Sequence, residues 1–90
     1  MEIINFPILH FRNWFIRMSK QKYNRIKSLL VEHDKSAKWL ADELGKDKST
    51  VSRWCTNDMQ PPVETFYQIA KLLEIDVREL FVPYKTKLEK

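Results

Sequence analysis

Glycine and cysteine are almost missing from this chain: each occurs once in 90 residues, as Gly45 and Cys55. A lone cysteine cannot close an intramolecular disulfide, which fits a protein of the reducing cytoplasm. A lone glycine cannot supply the many turns of a β-sandwich, so short connected helices are expected instead. Long apolar runs are lacking too, and no stretch reaches the roughly 18 residues of a membrane span. The two histidines, His10 and His33, have no cysteine pair and no HxxxH spacing, which excludes the usual zinc patterns. There is no Gly-rich phosphate loop and no nucleophile paired with a base. Asp42 and Glu43 are adjacent carboxylates without a histidine or metal partner, and read as a solvated helix face. Neither catalysis nor a cofactor is expected.

What is present suits one small domain. Hydrophobic residues make up 43% of the chain and aromatics 12%, too much for disorder and enough for one core. The formal charge of +4 and pI near 9.3 are compatible with a polyanionic partner.

The chain divides at residues 17 and 84. Residues 1–17 are dense in Ile, Phe, Trp and Leu, with Pro7 among them. With Glu2 near the start, no basic leading region and no small-residue cleavage site, they read poorly as a signal peptide. Three readings stay open: an arm packing on the domain or on a second copy, an upstream extension of a protein that starts at Met18, or a segment that binds a partner or a membrane surface. This segment carries Arg12 and Arg17 against Glu2, so most of the basic excess belongs to the domain at 18–84. Residues 85–90 form a charged tail.

Periodicity predicts five helices. The first runs from Lys20 to His33, with Tyr23, Ile26, Leu30 and His33 in steps of three and four. Ser36 is a natural N-cap for the second, Ala37 to Leu44, and Gly45 ends it in the left-handed conformation. Asp47 is the N-cap candidate for the third, Lys48 to Thr56, and Asn57 suits the position just past its end. Pro61 and Pro62 precede the fourth, Val63 to Leu73, whose stripe is Val63, Phe66, Tyr67, Ala70 and Leu73. Asp76 and Glu79 are spaced as a capping box for a short fifth helix that stops before Pro83, with Ile75 and Leu80 as its staple.

The stretch ADELGKDKSTVSRW carries the function. Two helices that cross steeply need a small residue at the contact, and Ala41 is small. They need a sharp turn, and Gly45 follows four residues later. Val51 and Trp54, three apart, lock the second helix of the pair onto Leu40 and Leu44. These are the requirements of a helix-turn-helix at their proper spacing.

The stretch from Asn24 to Phe81 resembles the Cro and phage-repressor type of helix-turn-helix, the xenobiotic-response-element family. The resemblance rests on Leu40-Ala41, Leu44-Gly45, Ser49 to Trp54, Pro61, Glu64-Thr65, Ile69 to Leu73 and Ile75 to Phe81. It implies an all-α, five-helix, lambda-repressor-like domain that binds double-stranded DNA. It also implies that the third helix enters the major groove. By position, Lys48, Ser49, Thr50, Ser52 and Arg53 would face bases. Ala37, Lys38, Lys46, Thr56 and Asn57 would face phosphates. The chain departs from the pattern in four places: Lys46 replaces an apolar residue, Ala37 a glutamine, Cys55-Thr56-Asn57 the sequence Glu-Asn-Gly, and Pro62 a serine.

Plainer roles are set against these. Trp54 and the stripe of Phe66, Tyr67 and Leu73 read as core, Cys55 as packing, and Trp39 as a partly buried surface residue. Arg53 also fits a solvated helix face. The leading expectation is a small cytoplasmic transcriptional regulator, a repressor, on the nucleoid when bound to DNA. The alternative is an antitoxin or interaction module on the same fold, holding a protein partner through residues 1–17 or the tail. A homodimer through the fifth helix, Val82 or the arm is compatible with both.

Overall fold

In the computed structural model, the structure describes residues 21–84, and the expectations for residues 1–17 and 85–90 lie outside them. Four α-helices follow in order: α1 (Ile26–Glu32), α2 (Ala37–Leu44), α3 (Lys48–Cys55) and α4 (Val63–Leu73). The expected fifth helix is a four-residue 3-10 turn, Val77–Leu80. Among the described residues there is no strand, only an isolated antiparallel bridge between Asn24 and Phe81.

The local signals act where the chemistry puts them. The Ser36 hydroxyl accepts the Trp39 N–H at 3.0 Å and starts α2. Gly45 ends it at φ 66, and the Lys46 N–H reaches back to the Ala41 carbonyl at 2.9 Å. Asn57 stands at φ 64, as its place past α3 demands. Glu74 ends α4 the same way at φ 58, a position with no glycine or asparagine to announce it.

One core joins the four helices. Ile26, Leu29 and Leu30 of α1 meet Leu40 and Ala41 of α2, Val51 and Trp54 of α3, and Phe66, Ile69, Ala70 and Leu73 of α4. Leu80 closes it from the 3-10 turn. Trp54 is core, as expected, and Trp39 is half-buried with the Lys35 ammonium 4.7 Å from its ring centre.

Three expectations need correction. The first helix starts at Ile26, and Tyr23 lies before it and is exposed. Asn24 stops the helix from extending backward, because its Oδ1 accepts the Ile26 N–H at 2.9 Å. The inner stripe of α4 is Thr65, Phe66, Ile69, Ala70 and Leu73; Tyr67 and Val63 face outward at 54% and 69% exposure. Asp76 does cap the 3-10 turn, but through the Arg78 N–H at 2.9 Å and an ion pair with the same arginine, so the reciprocal arm from Glu79 is not used.

Candidate nucleic-acid interface

The geometry of α2 and α3 follows from packing. Ala41 is 2% exposed, small enough for the helices to meet closely. Gly45 reverses the chain, and an added Cβ there would meet nothing within 4 Å. Its role is therefore the positive φ itself and not a tight fit. Val51 and Trp54 turn inward and fix the rotation of α3. That rotation leaves Lys48, Ser49, Ser52 and Arg53 exposed on the opposite side, with Thr50 half-buried beside them. All five residues expected to face bases are thus on one short helix. Arg53 has no ion-pair partner among the described residues, so its guanidinium is free to donate.

The residues expected to face phosphates divide. Ala37 opens α2, where the first-turn N–H groups of any helix lack intrahelical acceptors and carry positive character. Ser36 occupies only the Trp39 N–H. Lys38 is exposed and pairs with Asp42 at 3.3 Å, a weak surface contact that a phosphate can replace. Lys46 is exposed in the turn between the helices.

Thr56 and Asn57 are already engaged. The Thr56 hydroxyl points to the Arg53 carbonyl at 3.2 Å and to the Asp58 carboxylate at 3.0 Å. The Asn57 side chain turns away from α3. Its Oδ1 accepts the N–H groups of Tyr23 and Asn24 at 2.8 and 3.0 Å, and its Nδ2 donates to the Asn24 carbonyl at 3.1 Å. The Asn57 backbone N–H is engaged too, donating to the Trp54 carbonyl at 3.0 Å, so the expected phosphate contact finds no free backbone donor there.

Asn24 completes this junction from the other side. It is 3% exposed, and its Nδ2 donates to the Trp54 carbonyl at 3.1 Å and to Gln60 Oε1 at 2.6 Å. The end of α3 is thereby tied to the segment ahead of α1. Sequence reading did not find this tie, because its partners stand 30 and 36 residues apart. The available signal was an asparagine just ahead of a helical stripe.

Asp47 sits at the N-cap of α3 without a side-chain hydrogen bond. The expected capping reward is absent there, and the helix dipole is what favours the carboxylate. Cys55 is half-buried; burial raises its thiol pKa and the nearby Lys27 charge offsets part of this. Such a thiol packs and does not react readily.

Two helices joined by a left-handed turn, the second held by its apolar side with its polar side bare, define a helix-turn-helix DNA-binding domain. The helix-turn-helix family model matches residues 26–80, and the chain belongs to that family, of the Cro and phage-repressor type. A similar solved structure is the crystal structure of a candidate DNA-binding protein from Bacteroides fragilis. The two are 40% identical, with a TM-score of 0.67, over 69% of this chain and 100% of the other. No curated protein matches the chain. Among the described residues no helix is long and apolar enough to cross a membrane.

Proposed function

We propose that the protein is a small transcriptional regulator, a repressor, that binds double-stranded DNA in a sequence-specific manner and acts in the cytoplasm. The observation that carries this is the bare polar side of α3, held in place by Val51 and Trp54. Arg53 is assigned to a guanine, whose O6 and N7 accept its two parallel donors, for about 1–3 kcal/mol of discrimination. Lys48 is assigned to guanine acceptors or to the adjoining phosphate. Ser49 and Ser52 allow close approach, and the Thr50 methyl is assigned to a thymine. Ala37, Lys38 and Lys46 position the domain on the backbone. Thr56 joins them once its hydroxyl turns from Asp58.

The family reads paired half-sites about one DNA turn apart, which supports a homodimer. The activity is binding, so it requires no cofactor and no catalytic group.

The test is selection of bound duplexes from a random pool at near-physiological salt, with wild type beside Arg53→Ala. The expected result is an enriched motif, two inverted copies for a dimer, with preference lost at one base pair per half-site in the variant. Absence of enrichment from a folded sample would overturn the reading and favour a protein-interaction role on the same fold.

A further inference from the structure

Between α1 and the outer side of α3 lies a groove of about 320 Å³. Its walls include Lys27 and Lys35 on one side and Ser52, Cys55 and Thr56 on the other, with Ala37 at one end. No carboxylate lines it, although Asp58 touches its edge through Thr56. A second groove, of about 500 Å³, adjoins it and shares Lys27 and Cys55. Lys22, Arg25 and Glu32 line that one. Lys27 therefore stands on the ridge between two grooves, and it has no salt-bridge partner among the described residues.

We infer that the first groove seats a backbone phosphate of the bound DNA and that Lys27 of α1 is the cation that holds it. The inference rests on the DNA-binding reading above and adds a residue outside the helix-turn-helix to it. Three residues assigned to DNA there, Ala37, Ser52 and Thr56, also line this groove, so it opens on the same surface as α3. A strand tracking past the C-terminal half of α3 presents its phosphates to that opening. There Lys27 forms no ion pair among the described residues, and Lys35 stands over the Trp39 ring at 4.7 Å. An ammonium meets a phosphate as a point charge with no demand on orientation, so Lys27 adds affinity without sequence preference.

The experiment is a salt titration of duplex binding by fluorescence anisotropy, on the full chain and the selected motif. Wild type is compared with Lys27→Ala, Lys27→Arg and Lys71→Ala. Lys71 is exposed on α4 and lines a different groove. Loss of one phosphate contact lowers the slope of log affinity on log salt by about 0.9. Between about 50 and about 200 mM salt, Lys27→Ala should then lose roughly 3-fold less affinity than wild type. The selected motif should be unchanged, Lys27→Arg should restore the slope, and Lys71→Ala should leave it alone. A wild-type slope in a folded Lys27→Ala variant overturns this inference while leaving the DNA-binding reading intact. A wild-type chain that binds no duplex overturns both.

Discussion

The side chain of Asn57 grips the backbone of Asn24 as a neighbouring strand would, accepting its N–H at 3.0 Å and donating to its carbonyl at 3.1 Å. It does so from a backbone at φ 64, where residues with a Cβ are strained. Asn57→Ala loses the hydrogen bonds and keeps the strain; Asn57→Gly loses the bonds and relieves the strain. Unfolding in urea should show the alanine variant less stable than the glycine variant by about 1 kcal/mol. Both should fall below wild type by about 1–3 kcal/mol for the part-buried groups left unpaired. Equal stability of the two variants would mean that the conformation carries no strain.

Gly45 allows a cleaner test of backbone conformation, since a Cβ there meets nothing within 4 Å. Gly45→Ala should destabilise by about 1 kcal/mol through positive φ alone. Gly45→Asn should cost less, because asparagine visits that region more readily. Thermal melts of the pair decide it, and an alanine variant as stable as wild type would refute the assignment.

Asp76 predicts a pH dependence. The Arg78 side chain beside it, with the Arg78 N–H, lowers its carboxyl pKa from 3.8 to about 2. A pKa depressed in the folded state adds stability above the unfolded value, and that stability is lost as pH falls through the folded one. Asp76→Asn should therefore melt lower than wild type at neutral pH. The gap should close as pH drops from about 4 to about 2. A gap independent of pH would assign the effect to capping geometry and not to charge.

Lys38 should act on every sequence alike. Its exposed pair with Asp42 holds little energy, so the ammonium is available to a phosphate. Lys38→Ala should reduce the salt slope of binding by about one without altering the selected motif. A change of preference at a single base pair would move Lys38 from the phosphates to the bases.

The helix-turn-helix was legible because its signals are local. Ser36, Gly45, Val51 and Trp54 each state their role within a turn of themselves, and the structure puts each to that use. The phase of α4 was not legible. Apolar side chains surround that helix closely enough for Val63 and Tyr67 to pass as its stripe. The choice fell to Ile69, and to Thr65, whose methyl suits a buried place. Nor was the start of α1 legible, because what stops it is Asn24, held by Trp54, Asn57 and Gln60 from far along the chain.

The bridge at Asn24 and Phe81 has a mechanical meaning. The chain enters and leaves the described domain at one edge, joined by two backbone hydrogen bonds: Arg25 N–H to Leu80 and Val82 N–H to Tyr23. A load pulling these ends apart peels the two bonds in succession before it reaches the core. Asn57, at the exit of α3, holds Tyr23 and Asn24 on that same edge. Tension applied to the ends thus bears on the tail of α3 through Asn57 before it bears on the crossing of α3 with α2.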